Sequence, residues 1–158
     1  MTVLVRRASE ADVTGACDVL RRSIRELCVD DHHDDEQTLS IWLKNKTIEN
    51  VSAWVCSETN FAVVAVESTQ VCGFGLIDRN GEIQLCYVAP ELVGRGSGKS
   101  MLCLLEQQAN SWGLNTVFLM STLTAKPFYE HHGYFVSGLP ISTHGVNCAF
   151  PMSKTIAL

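Results

Sequence analysis

The chain has 158 residues, 46% of them hydrophobic and 18% charged, and a formal net charge of −5. That length suits a single domain over 1–158 with a core of its own, and the balance is that of a compact globule rather than a disordered chain. An acidic chain lacks the basic footprint that general nucleic-acid binding needs, and no window reaches the ~20 apolar residues of a membrane helix.

The opening run MTVLVRRASEAD has no long apolar stretch of the kind a secretory leader carries. Val3 to Arg7 predicts a first strand. Ser9 then caps a helix, with Asp12 three residues on as a partial capping box. The helix extends to about Leu27 along the stripe Val13, Ala16, Cys17, Leu20, Ile24 and Leu27. Residues 28–36, CVDDHHDDE, hold five acids and two histidines within seven positions. They read as a solvated loop leading into the acidic first turn of a helix, where carboxylates suit the dipole. They also read as a recognition loop for a cationic amine through Asp31, His32 and His33, with His32 or His33 as a base. A metal site is a third reading, but nothing else in the chain completes a ligand set. Leu39, Trp42 and Leu43 predict a short helix, and Thr47 caps another through Val51 and Trp54.

Asn60 to Glu67 and Val71 to Ile77 predict two strands, the first apolar enough to be buried on both faces. Asp78-Arg79-Asn80-Gly81 is a hairpin signal, with Asn-Gly suited to positive φ. The next strand alternates, which places Glu82, Gln84, Cys86 and Val88 on one face, until Pro90 ends the ladder. Val93-Gly94-Arg95-Gly96-Ser97-Gly98-Lys99-Ser100 follows and runs into an amphipathic helix with Leu102, Leu105, Ala109 and Trp112 on its apolar face. A strand, a glycine-rich turn and a helix N-terminus make an anion cradle for a phosphate or pyrophosphate, to which Arg95 and Lys99 add charge. A P-loop would need G-x-x-x-x-G-K followed by Ser or Thr. Gly98-Lys99-Ser100 supplies its end, but Val93 stands at the first glycine and the strand Val117 to Met120 carries no aspartate for Mg²⁺.

Trp112-Gly113 stops the helix. After the strand Val117 to Met120, Thr124 caps a short helix with Pro127 in its first turn and Gly133 at its end. Tyr134 to Gly138 and Asn147 to Lys154 close the domain as paired strands. The seven cysteines are odd in number and scattered without a C-x-x-C pair, which predicts reduced thiols, a cytoplasmic setting and no zinc site.

Two runs carry a family resemblance. Tyr87-Val88-Ala89-Pro90-Glu91-Leu92-Val93-Gly94-Arg95-Gly96-Ser97-Gly98 resembles the acetyl-CoA loop of GNAT-superfamily N-acetyltransferases, with Val93 where Gln or Arg is usual. Ala125, Phe128, Tyr129, Glu130, Gly133 and Tyr134 match a second GNAT hallmark, A-x-x-F-Y-E-x-x-G followed by Phe or Tyr, with Thr122 where many members carry Asn. The resemblance spans nearly the whole chain and is weakest from 28 to 58. It implies an α/β (α+β) fold with a twisted, mixed, mostly antiparallel sheet of about six or seven strands flanked by helices. It further implies acetyl-CoA as cosubstrate, no metal, and direct transfer to a primary amine, on a small molecule or a protein lysine or N-terminus; homodimers are frequent in the family. The cradle Val93 to Ser100 would hold the pyrophosphate, with Thr122 and Phe128 nearby. Tyr87 and Val88 resemble the splayed strand that binds pantetheine, the Val88 N–H facing the thioester oxygen. Tyr129 stands where many members place the acid that protonates the departing sulfur. Glu82 resembles the strand glutamate that serves some members as base, with His32 as rival. Cys86 reads as core packing, and His131 and His132 as partners of a helix C-terminus. Other readings of the same fold are a different acyl-CoA donor and a non-catalytic acyl-CoA sensor.

Overall fold

The computed structural model describes residues 2–143 and 146–156; residues 1, 144–145 and 157–158 lie outside that description. Its centre is set by β2 (Asn60–Glu67) and β3 (Gln70–Asp78), which pair antiparallel and are buried along most of their length. Strands apolar on both faces need a cover on both. Helices α1 (Val13–Leu27) and α4 (Ile48–Cys56) supply one, and α5 (Ser97–Ser111) supplies the other. Between α1 and α4 run α2 (Val29–His32) and α3 (Glu36–Leu43).

The sheet continues with β1 (Val3–Arg7) beside β2, and with β4 (Glu82–Val88) beside β3. The chain crosses through α5 to β5 (Thr116–Ser121), which runs parallel to β4. Then α6 (Lys126–His131) leads to β6 (Phe135–Val136), β7 (Ile141–Thr143) and β8 (Val146–Thr155). The order is β1-β2-β3-β4-β5-β8-β6, with β7 also paired to β8. The result is a single α/β domain with a mixed, mostly antiparallel sheet. It has eight strands where six or seven were expected, the addition being the three-residue β7.

Local signals formed as their chemistry requires. The Asp12 carboxylate accepts the Ser9 amide at 2.8 Å and pairs with Arg6 at 2.8 Å. Thr47 caps α4 through the Asn50 amide. At the turn into β4, Asp78 accepts the amides of Asn80 and Glu82. The cap of α6 differs from expectation: Thr122, not Thr124, accepts the Ala125 amide, at 3.0 Å, because the Thr124 hydroxyl is engaged by Asp31.

The sheet divides the core into two layers. Leu20, Phe74, Leu76 and Leu85 lie in the α1 layer, and Met101, Leu105, Ile77 and Ile83 in the α5 layer. Ile83 and Leu85 fall in opposite layers although only one residue separates them. The cause is a bulge: Ile77 pairs with Ile83 and Leu76 with Leu85, leaving Gln84 without a partner. An extra residue reverses the alternation beyond it. Glu82 therefore shares a face with Leu85 and Tyr87, not with Cys86 and Val88 as strict alternation required.

Gly15 lets α1 lie close on the sheet, since a Cβ there would sit 2.8 Å from Val71 Cβ. Alanine in a helix interior is favoured over glycine by about 1 kcal/mol, whereas overpacking against a stiff β-branched neighbour costs about 1–3 kcal/mol. Packing wins, and Gly15→Ala is expected to destabilise the fold by about 1–2 kcal/mol in urea unfolding despite its better helix propensity.

Candidate active site

Strands β4 and β5 pair only at Glu82–Phe118 and Ile83–Leu119 and then part. Beyond that point, backbone groups on the inner edge of β4 have no strand to bond. The Ala89 amide donates to the Cys72 carbonyl of β3 at 2.8 Å. Amide directions alternate along a strand, so the Val88 amide faces the gap instead. A cavity of about 620 Å³ fills this wedge, reaching from Gln84 and Tyr87 to the glycine turn and α6.

The turn closes one end. Gly94 (φ 79°) and Gly96 (φ 87°) take left-handed conformations that L side chains rarely adopt. The amides of Gly94, Gly96, Ser97, Gly98 and Lys99 have no acceptor among the described residues. They lead into the 15-residue α5, whose dipole adds positive potential. Ser97 Oγ is buried without a hydrogen-bond partner, and a Cβ on Gly98 would meet the Phe128 ring at 3.2 Å. Free amides and a wall with no room for a side chain fit a phosphate-bearing ligand. Val93, Gly94, Gly96, Gly98 and Lys99 line the cavity, whereas Arg95, Ser97 and Ser100 do not. Arg95 instead pairs with Glu67 at 3.4 Å, and Ser100 is exposed on α5.

Tyr87, Val88, Thr122, Phe128 and Tyr129 line the same cavity. Tyr129 is buried, packed edge-on between Phe128 and Tyr134 with ring centroids 5.2 and 5.6 Å away, and its hydroxyl has no partner among the described residues. Burial, reinforced by Cys86 and Tyr87, raises its pKa well above the ordinary tyrosine value, so it stays protonated. Burial also pushes the Cys86 thiol up to about 12, which removes the thiolate a covalent nucleophile would need. His131 and His132 line the cavity too, and His132 packs against Phe128 with centroids 4.7 Å apart.

The acidic run is placed differently from its recognition reading. None of Asp31, His32 and His33 lines this cavity or the one beside Glu82 described below. His32 is fully buried: Nε2 lies 2.9 Å from the Ile24 carbonyl and 3.1 Å from that of Arg25, while Nδ1 accepts the Asp34 amide at 2.9 Å. Both ring nitrogens are taken, so no lone pair is left for a substrate proton. Asp31 accepts the Leu123 amide at 2.7 Å and the amide and hydroxyl of Thr124, tying α2 to the loop before Tyr129. His33 is exposed at the left-handed end of α2. Among the described residues, no His, Cys, Asp and Glu cluster could hold a metal ion, and no helix is long and apolar enough to cross a membrane.

Glu82 lies on a second cavity of about 320 Å³, on the α1 side of the sheet. It shares Ile83, Gln84, Leu85, Tyr87, Met120 and Thr122 with the first, so the two adjoin along β4. Burial, and then Asp78, raise the Glu82 pKa above its ordinary value. The remaining wall includes Trp42, Trp54, Asn45 and Lys46, single residues with no motif around them in the sequence. Lys46 is 4% exposed, and its ammonium donates to Asn45 Oδ1 at 2.8 Å. Burial brings its pKa down to about 8.

Comparison with known proteins agrees with this geometry. The family model of the acetyltransferase (GNAT) domain matches residues 28–156. A GCN5-related N-acetyltransferase of Rhodopseudomonas palustris superposes with TM-score 0.86 at 21% identity, over 99% of this chain and 97% of that one. The PaiA N-acetyltransferase of Thermoplasma acidophilum, in complex with coenzyme A, gives 0.86 at 18% identity over 99% and 100%. An aminoglycoside 6′-N-acetyltransferase complexed with coenzyme A gives 0.72 at 16% identity over 98% of each chain. No protein of curated function matches the chain.

Lys46 is charged in both folded and unfolded chains below about 8 but shielded poorly when folded. Its penalty is full there and fades as the pH climbs to 10.5, its ordinary value. Lys46→Met is therefore expected to stabilise the protein by about 2–3 kcal/mol near neutral pH, with a shrinking gain in alkaline urea titrations.

Proposed function

The chain belongs to the GNAT acetyltransferase family and is an N-acetyltransferase; from that premise we propose that it moves the acetyl group of acetyl-CoA directly to a primary amine held on the Glu82 side of β4. The carrying observation is the parting of β4 from β5, which joins the cofactor-shaped cavity to the acceptor-sided one along one strand. The thioester supplies an activated acyl carbon and a thiolate leaving group.

The chain's own groups then divide the work. Amides of the turn at 93–100, with Lys99, hold the pyrophosphate. The Val88 amide faces the carbonyl oxygen, where developing negative charge is stabilised by a fixed donor. Tyr129, kept protonated by burial, gives its proton to the departing sulfur and takes one back from the nitrogen as the amide forms. Glu82, its basicity raised by burial and Asp78, takes the proton of the incoming ammonium through water, since an amine must be neutral to attack. The high pKa of Cys86 supports direct transfer over an acyl-enzyme. The chain's seven cysteines are all unpaired, which favours a reducing, cytoplasmic setting.

Tyr129→Phe is expected to lower kcat with a responsive amine by about 10²- to 10⁴-fold while calorimetry still records acetyl-CoA binding. Unchanged kcat would remove Tyr129 from the reaction, and a parent that binds acetyl-CoA but acetylates no amine would be a sensor. Because Glu82 must be ionised to act, kcat/KM is expected to rise with pH through a pKa raised above the ordinary glutamate value by burial and Asp78, and Glu82→Gln to abolish that limb.

A further inference from the structure

We infer that Lys46 is the anchor for a carboxylate on the acceptor, so that the substrate is a small amino acid or a similar amine that also carries an acid group. This rests on the acetyl-transfer reading above and names its acceptor class.

The placement of Lys46 is built rather than incidental. Arg21 reaches from α1 to donate to the Leu43 carbonyl at 3.0 Å and the Lys46 carbonyl at 2.8 Å. The Cys17 thiol lies 3.3 Å from the same Lys46 oxygen, and Asn50 holds the Asn45 carbonyl at 2.9 Å. Four contacts fix a turn whose one buried cation lines the acceptor cavity. A buried ammonium is ordinarily paired with a carboxylate. Here Asn45 is its side-chain hydrogen-bond partner, and no carboxylate lies within 4.0 Å of it among the described residues. Burial without a counter-ion is also what draws its pKa down.

The rest of the cavity fits the same class of molecule. Glu82 supplies an anion for the acceptor ammonium, and Trp42 and Trp54 supply apolar faces for its body. At about 320 Å³ the space is at the small end for a ligand site. The acidic run at 30–36, which would favour a polycation, does not line it. An amine carrying a carboxylate would complete two half-satisfied charges at once, while a polyamine would set another cation beside Lys46.

The test uses apolar and aromatic amino acids, each beside its decarboxylated amine, such as L-phenylalanine with phenethylamine and L-leucine with isoamylamine. Acetylated product is measured by mass spectrometry with the full chain and acetyl-CoA. For the best pair the acid is expected to have a kcat/KM at least about tenfold higher, and Lys46→Met to reduce that ratio by about ten- to a hundredfold, mainly through KM. Independently of turnover, at least one amino acid of the panel, at saturating concentration with coenzyme A, should raise the melting temperature of the parent but not of Lys46→Met. Equal use of both members, or a ratio that Lys46→Met leaves alone, would overturn the inference while leaving acetyl transfer intact. Acetyl-CoA binding without acetylation of any amine would instead remove the transfer reading, and the melting shift would still decide whether Lys46 binds the acid.

Discussion

Two parallel strands that begin as neighbours and then separate are the constraint on which the site depends. Parting exposes backbone amides and carbonyls that a continuous sheet would have paired, and unpaired backbone groups are costly wherever water is excluded. The chain keeps this gap open by anchoring both sides. The first two residues of β4 pair with β5, while β4 remains laddered to β3 as far as Val88. On the far side β8 holds β5 from Thr116 to Ser121. The gap is thus held open from both sides, with the Val88 amide facing into it.

The bulge at Gln84 matters for the same reason. By reversing the alternation it turns Glu82 and Tyr87 toward α1 while Cys86 and Val88 face α5. One strand thus lines the smaller cavity with Glu82 and the larger one with Cys86 and Val88. The aspartate and histidine that looked like substrate contacts serve this arrangement from behind. His32 seals the end of α1, and Asp31 fastens α2 to the loop that precedes α6 and its Tyr129, across more than 90 residues of sequence.

What was legible in the sequence was whatever short-range chemistry decides. The helix α1, the strands β2 and β3 and the turn at Asp78 to Gly81 are each set by residues within a few positions of one another, and each formed as expected, whereas only part of the expected glycine cradle lines the cavity. What was not legible depends on distant partners. The face of Glu82 is fixed by a register slip against β3. The burial of His32 follows from its Nε2 reaching the carbonyls eight and seven residues back, at the C-terminal end of α1. The burial of Lys46, which no local motif marks, comes with Arg21 and Cys17 drawing its backbone against α1.

The central claim is that the wedge between β4 and β5 is an acetyl-CoA site roofed by the glycine turn, and calorimetric titration of the full chain with acetyl-CoA tests it most directly, with ATP and Mg²⁺ in parallel. The account predicts saturable micromolar binding of acetyl-CoA, no heat from ATP, and loss of the acetyl-CoA signal in Gly98→Val, whose side chain would press on Phe128. Binding of ATP with Mg²⁺ and silence with acetyl-CoA would contradict it, and would assign the turn to nucleotide phosphates instead.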